Sequence, residues 1–558
     1  MIEILESRIA PAGVFFYTDG SGDLVKVTST VGTTTQLATA VEAGLSNYGT
    51  GQSLLTQPHT LQLLALGSTF ANASISITAT PSKGLDPTGP LQGSGFVNVG
   101  EINATGVNLR AVTVHGDLGQ IIVGGGNATS VGLGSLSVQS MGDFGLLTGA
   151  NATLSRFING VTTINVAHDV DGVLLRADAS GSAALAKMGS VIIGGSLIGG
   201  ATADTGEIAA ADGIGAVKIL GSVIGGTAAD TGRIATSISG RLMVAGNAVG
   251  GSIGSVFIGG DLVGGSAQAT GAIYAANLLG SVTISGSIIG GSAVTSGGID
   301  GNNIGAVKVG GDLRGTAFTS SAAVDHTAFI RSQTNIKSVI VGGSLIPGSE
   351  TGGGTLTYSA AIQAGQTLGA VKVVGSIQGT EANPVIFSGV GLSAPTKHTQ
   401  DPAIVSLTVG GSATYVQVLA GYNLIGNPAS GDAQIGTVKV GGDLIASDII
   451  AGVKTQTAGT DFGASTDSLI DIPSATVLAD GILSSIASVI VGGQIEGTTG
   501  SGTFAIEAQT IHSLVTGGVN LHVAPGNATS GSNFYISPTI SATTEHDVHV
   551  RDAFPQDS

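Results

Sequence analysis

IGSVFIGGDLVGG, residues 253–265, decides how this chain folds, because close copies of it recur: IGAVKILGSVIGG (214–226), LGSVTISGSIIGG (279–291) and IGAVKVGGDLRGT (304–316). The shared phrase is approximately (I/L)-G-(S/A)-V-x-(V/I)-x-G-(S/D)-(L/I/V)-x-G-(G/T). Its clear copies begin at Met188, Ile214, Ile253, Leu279, Ile304, Ile336, Leu368 and Ile435, and weaker ones at Leu109, Leu133, Val161, Ile404, Ile486 and Ile511. A unit this short cannot bury its apolar residues alone, so the copies must stack. Starts are mostly 24 to 32 residues apart, with intervals of 39 between Ile214 and Ile253 and 51 between Ile435 and Ile486. Extra residues therefore enter between phrases and leave the phrase intact.

Within the phrase the fourth and sixth positions are Val, Ile or Leu (Val217 and Ile219, Val256 and Ile258, Val307 and Val309), while the fifth varies among Lys218, Phe257, Thr283 and Lys308. A period of two means strand. Glycine pairs such as Gly194-Gly195 and Gly259-Gly260 follow, then Ser or Asp, a second short apolar run and a further glycine pair. Glycine permits positive φ and close backbone approach, so these positions read as corners. A third segment, TGEIAAA from Thr205 or TGAIYAA from Thr270, completes the turn. Three strands and three corners make one coil of an all-β, three-sided parallel β-helix, right-handed by the rule for parallel crossovers. A narrow interior filled by β-branched residues and alanine accounts for 42% hydrophobic content with only 4% aromatic residues, no Trp and 93 glycines. Long helices are not expected, since Gly, Thr, Ser and Val are poor helix formers.

The pattern divides the chain into an N-terminal motif and β-hairpin (1–35), irregular first coils or a cap (36–105), the β-helix (106–523) and a C-terminal tail (524–558). Gln36 to Ala79 is apolar, β-prone and out of phase with the phrase. The tail loses the glycine corners and reads as a poorly packed end or linker. At the strand spacing, about fourteen coils predict a rod on the order of 70 to 90 Å long. Asn-Ala-Thr recurs at Asn103, Asn127 and Asn151 at intervals of 24, the distance from Leu109 to Leu133. That spacing favours a stacked asparagine ladder over sugar attachment, although these triplets, Asn72-Ala-Ser and Asn527-Ala-Thr also match a glycosylation acceptor.

Composition excludes several classes of function. With 36 acidic and 19 basic residues the net charge is −17, which repels phosphate backbones. No Lys/Arg cluster or aromatic platform is visible, so nucleic acid is not an expected partner. The absence of cysteine removes disulfides, thiolate metal sites and a thiol nucleophile together. No run of eighteen apolar residues occurs, so no transmembrane helix is expected. MIEILESRIAPAGVFFYT has no basic stretch followed by a clean apolar one, and a secretory signal is not legible in it.

Leu5-Glu6-Ser7-Arg8-Ile9-Ala10-Pro11-Ala12, followed by VFFYTDGSGDLVKVTS, resembles the N-terminal segment of large, repeat-rich bacterial exported proteins, which open with Leu-Glu-x-Arg and a Pro-Ala stretch before a β-hairpin. The repetitive body resembles the adhesin and autotransporter-passenger β-helices of bacterial surface proteins. The resemblance implies an extracellular or cell-surface location and an adhesive or structural role.

The residues that could carry chemistry have turn and solvation roles as their simpler explanation. A glycosidase places two carboxylates roughly 5 to 10 Å apart across a cleft. The available carboxylates, Asp117, Asp261, Asp312 and Asp443, each follow a first glycine corner, and other coils carry Ser196, Ser222, Ser287, Ser344, Ser376 and Ser412 there. Turn chemistry explains that alternation, since both side chains accept backbone N–H groups. Lys218, Lys308, Lys372 and Lys439 fall on the solvent side of a strand, where solvation and reduced lateral aggregation account for them. Asp19-Gly20-Ser21-Gly22-Asp23 opens like a calcium loop but lacks the remaining ligands, and reads as a hairpin turn. His512, His522, His546 and His549 lack a third fixed ligand or a Glu base, and read as ordinary polar residues.

The sequence therefore predicts no catalytic, cofactor-binding or metal-site residues and no cofactor. It points to a non-catalytic, extended structural or adhesive protein whose partners are surface glycans, other cells or further copies of itself. The alternative is a carbohydrate-active β-helix enzyme, a polysaccharide lyase or glycoside hydrolase. Binding specificity is expected in the longer inserts, Ala317 to Asn335, Glu381 to Asp401 and Ala446 to Leu483.

Overall fold

A computed structural model describes residues 12–46, 52–127, 129–179, 186–236, 250–392, 402–455, 462–463, 467–470, 484–497, 503–521, 532–536 and 548–552. The chain falls into two compact units, 1–259 and 260–558. Each is built mainly as a parallel β ladder, and the phrase starts sit in register inside it. In the first unit Leu109, Leu133, Val161, Met188, Ile214 and Ile253 are successive partners in one column. In the second, the column runs Leu279, Ile304, Ile336, Leu368, Ile404, Ile435, Ile486 and Ile511.

Three faces recur. Face A is the phrase strand itself, as in Lys187–Ile193 or Ile336–Val341, and face B is a two-residue strand such as Leu197–Ile198 or Leu345–Ile346. Face C is the third segment, as in Glu207–Ala210 or Phe329–Ser332. The inward residues of face C in the second unit, Ile273, Ile299, Ile330, Ile362, Phe387, Val418, Ile449 and Ile506, form a single buried column. Burying each such side chain contributes roughly 1.5 to 3 kcal/mol, which is why the apolar alternation sets the register.

From Met188 onward the corner between faces A and B keeps a constant length. From phrase start to corner residue the numbering runs 188 to 196, 214 to 222, 279 to 287, 304 to 312, 336 to 344, 368 to 376 and 435 to 443, always eight positions. Its Ser/Asp side chain accepts a backbone N–H from the equivalent residue of the next coil. Asp261 Oδ1 accepts from Ser287 (2.7 Å), Ser287 Oγ from Asp312 (3.0 Å), Asp312 Oδ1 from Ser344 (2.8 Å) and Ser344 Oγ from Ser376 (3.1 Å). The turn-chemistry reading holds, with the bond running between coils and not inside one turn. The same bond explains the second corner glycine. A Cβ on Gly311, Gly343 or Gly375 would overlap Ser287 Oγ, Asp312 Oδ1 or Ser344 Oγ of the coil before. These glycines do not have positive φ, so close approach alone requires them.

Positive φ appears instead at the entry to face C. Asp204 and Gly206 (φ 61° and 59°), Ala269 and Gly271 (57° and 57°), His326 and Ala328 (54° and 51°), and Tyr358 and Ala360 (54° and 55°) repeat one left-handed corner. The residue between them staples the loop: Thr205 Oγ1 accepts from Gly200 N (2.9 Å) and donates to Thr202 O (2.6 Å), and Thr270 does the same with Gly265 and Ala267. Left-handed backbone at non-glycine residues costs about 1 kcal/mol or more each, offset here by the staple and by stacking.

Three readings of the ends and repeats are corrected. The start of Gln36 to Ala79 belongs to an α-helix, Thr34–Glu42, with a Thr33/Gln36 capping box and buried Leu37 and Val41. The signal was present as T-x-x-Q before an apolar pair, and local capping outweighed the β-prone composition. Downstream, Leu61–Ala65 and Ser74–Pro81 do join the ladders, and the hairpin Gly13–Thr18/Asp23–Ser29 pairs antiparallel with the latter. Part of the tail continues face C, since Val548–Asp552 pairs parallel with Phe504–Ala508 and antiparallel with Ser532–Ile536. The asparagine ladder is not formed. Asn103 pairs with Ala65 and Ile122, because the face C strands drift in phase relative to the 24-residue interval. Asn103 and Asn127 instead close local turns, each Oδ1 accepting from the N–H and hydroxyl of Thr105 or Thr129. The Leu5 to Pro11 motif residues, Asn527, His522 and His546 lie outside the described residues.

Candidate functional site: a cleft on the covered face

Inserted residues enter at the two edges of face C and leave the A–B corner untouched. Face C is consequently buried on its outer side as well as its inner one: all four residues of Glu207–Ala210, Ala272–Ala275 of the longer strand Ala272–Ile284, and Asp448–Ala451 are buried. An outward column that would otherwise meet water must then pair its polar groups. In the first unit Arg233 donates from Nε and Nη2 to Glu207 Oε1 (2.9 and 2.7 Å), its neighbour one rung away. Buried Glu101 accepts from Asn103 Nδ2 and Asn151 Nδ2, both at 3.0 Å.

In the second unit the outward column reads Tyr274, Asp300, Arg331, Gln363, Ser388, Leu419 and Ile450. Arg331 Nη2 donates to Asp300 Oδ2 (2.6 Å), and its guanidinium lies 5.4 Å from the Phe329 ring centre. Gln363 Nε2 donates to Ser388 Oγ (3.1 Å), and Gln363 Oε1 is 3.2 Å from His326 Nε2. His326 and Tyr358 hold the same left-handed corner position in consecutive coils, so their rings stack at 4.8 Å with 24° between planes. The separation is that of the strands themselves. Asp325 Oδ2 lies 3.5 Å from His326 Nδ1, a contact longer than a good hydrogen bond. That imidazole holds the Asp325 carboxyl below the usual carboxylate range against the opposing effect of burial, and Arg331 adds to it.

Beyond Ser388 the column turns apolar, and a cleft of about 460 Å³ opens there. Gln363, Ser388 and Gln417 form its floor, with Tyr358, Tyr422 and Phe462 as walls and Asn427 and Lys454 at its margin. Leu419, Tyr422, Ile450, Val453, Phe462, Ile470 and Ala505 make a satellite core behind it. Tyr422 is fixed by an O–H donated to Val453 O (2.7 Å) and meets Phe462 edge-on at 6.2 Å. Burial pushes the Tyr422 hydroxyl well above its ordinary range, reinforced by Asp467, and burial with the nearby Asp325 raises Tyr358 as well. The loop bearing Asn427 is pinned by Asn423 Oδ1, which accepts from Ile425 N and Asn427 N (3.1 and 3.0 Å). Gly426, at φ 75°, faces the Tyr358 hydroxyl, so a Cβ there meets both a strained backbone and a close oxygen.

Aromatic walls over an amide floor form a surface suited to a polar, ring-shaped ligand such as a sugar. Of the three inserts singled out in the sequence, the second lines the cleft through Ser388 and the third through Lys454 and Phe462, whereas the first does not line it and only stacks His326 on Tyr358. The Asn423 to Pro428 loop was missed. Its Tyr-Asn and Gly-Asn-Pro turn signals were legible, but nothing in them said that the loop folds over face C.

The carboxylates Asp117, Asp261, Asp312 and Asp443 are not brought together. Each sits at its own A–B corner, Asp117 accepting from Ser140 Oγ (2.8 Å) and Asp443 from Gln494 N (2.9 Å). The Asp19 to Asp23 segment is the hairpin turn, Asp19 Oδ1 accepting from Ser21 N and Asp23 N. Among the described residues no three His, Asp or Glu side chains are close enough to hold a metal ion. No helix of the described residues is long and apolar enough to cross a membrane. Comparison with known proteins finds no matching family model, curated protein or solved structure.

Proposed function

We propose that the protein is a non-catalytic structural or adhesive component of the bacterial cell surface or secreted matrix, presenting β-helical faces and loops to glycans, neighbouring cells or its own copies. The observation that carries this reading is the use of the phrase carboxylates: Asp261, Asp312 and Asp443 serve inter-coil hydrogen bonds, so the repeat is devoted to building regular surface. The cleft fits the same reading as a place where a sugar ring packs on Tyr358, Tyr422 or Phe462. Fractionating cells and locating the protein with an antibody tests the proposal. A surface or matrix pool is expected, and a purely cytosolic pool overturns it.

The cleft also favours a second reading, a carbohydrate-active enzyme working there. The raised hydroxyls of Tyr358 and Tyr422 weigh against either as a base near neutral pH. Incubation with a panel of acidic and neutral polysaccharides, followed by assay for new reducing ends or unsaturated products, separates the two readings; turnover abolished by Lys454→Ala would establish the enzyme.

A further inference from the structure

Face A of the second unit carries a charge pattern that the fold does not require. Its outward fifth-position column runs Thr283, Lys308, Ile340, Lys372, Thr408, Lys439 and Ile490 in continuous register. Lysine thus occupies every second rung, at intervals of about 9.6 Å over about 19 Å. Lys337 lies on the strand between the first two. All four lysines are exposed, and among the described residues none of them forms an ion pair. The face A strands of this unit, from Leu279 to Thr516, contain no Asp or Glu, in a chain with 36 acidic residues. The parallel outward column, two positions before the lysine column, is small and partly hydroxylated, Ser281, Ala306, Ser338, Ala370, Ser406, Thr437 and Ser488.

Solubility alone asks only for scattered charge of either sign, and an acidic protein would meet that need most simply with Asp or Glu. A single-sign column at a fixed repeat fits a partner whose own charges repeat along a line. We propose that Lys308, Lys372 and Lys439, with Lys337 beside them, bind an extended acidic polysaccharide of the polyuronate class laid along the coil axis. Its carboxylates meet the ammonium groups, its hydroxyls meet the serine column, and its apolar ring faces rest on Ile340 and Val405, both exposed. A polyanion of this kind fits better than nucleic acid, because these strands hold no aromatic residue for base stacking and no arginine for bidentate phosphate contact. The nearest carboxylates of the phrase, Asp312 and Asp443, are turned into the next coil's amides at Ser344 and Gln494.

This inference rests on the surface-glycan reading above and names the glycan. The test uses the full chain and polygalacturonate as probe, with dextran as the neutral control, at low and at physiological salt. Binding to polygalacturonate that weakens with salt is expected, with no binding to dextran. The triple variant Lys308→Gln/Lys372→Gln/Lys439→Gln loses about tenfold or more in affinity, as three exposed ion pairs together would give. The triple Lys→Arg variant retains binding. A charge-matched control, Lys26→Gln/Lys83→Gln/Lys218→Gln, in the first unit, stays within about twofold of the parent. Unchanged denaturation midpoints show that the variants are folded. Equal weakening by both Gln triples, no binding by the parent, or tighter binding of an oligothymidylate through the same lysines each overturns the proposal. A surface-located protein that ignores polygalacturonate removes this inference alone, whereas a cytosolic pool removes the functional reading whatever the binding result.

Discussion

Faces A and C of the second unit are built from the same rungs yet carry opposite surfaces. On face A the outward positions are exposed or half-buried and nearly uniform, small residues beside Lys, Thr or Ile. On face C they are buried, Arg331 alone being half-buried, and varied, from the Asp300–Arg331 pair through Gln363 and Ser388 to the apolar cluster around Leu419 and Ile450. The inward columns do not differ in kind, since both are apolar and held in register, aliphatic throughout except for Phe387 on face C. Register therefore depends on the inward column, and the outward column is free to specialise. What decides between surface and second core is where residues are inserted. The A–B corner cannot take them, because the Ser/Asp side chain of one coil occupies the space above the glycine of the next.

The two faces differ most in the buried charge of face C. Arg331→Ala leaves Asp300, 1% exposed, without its cation, and should cost about 4 kcal/mol in chemical denaturation. A loss under about 1 kcal/mol would mean that water reaches this column and that face C is not covered. Next come the inward residues, where the two faces should behave alike: Ile330→Ala on face C and Ile336→Ala on face A each cost about 3 kcal/mol. A large difference between them would show that the columns are not equivalent cores. At the corner, Asp312→Ala removes the acceptor for Ser344 N and should cost about 1 kcal/mol. Gly343→Ala should be better tolerated in that background than alone, a coupling that a double-mutant cycle measures.

A smaller effect concerns pH. The Asp325 carboxyl is held low in the folded state by His326, so its contribution is present above the carboxyl's unfolded value of about 3.9 and is lost as pH falls through the lower folded value. Comparing parent with His326→Ala from pH 5 downward should show the parent's advantage shrinking with acid; an advantage independent of pH would assign His326 to packing alone. Smallest of all, Lys308→Gln should change stability by less than about 0.5 kcal/mol, since exposed face A residues touch no core.

Most of the stack was legible because it rests on local periodicity. Fourteen phrase starts, clear and weak alike, fall into the two in-register columns, and the alternation of Val217 and Ile219 or Val307 and Val309 places those side chains inside. The Ser/Asp alternation was likewise readable as acceptor chemistry. The Asn103, Asn127 and Asn151 spacing misled because one sequence interval is not one coil when segments between strands vary in length. Thr34–Glu42 was overlooked because a single capping box competes poorly with β-prone surroundings as a signal. The cleft was legible only as a set of inserts.

By itself the amino-acid order determined the parallel stack, its register and its corners, because each of these follows from alternation and glycine placement within a few residues. Only the tertiary structure decided that the corner glycines serve close approach and not positive φ, that face C is roofed while face A stays open, and that His326, Tyr358 and Tyr422 gather beside Gln363 and Gln417. Those outcomes depend on contacts between coils and on the path of inserted loops, which bring together residues whose separation along the chain carries no period to read.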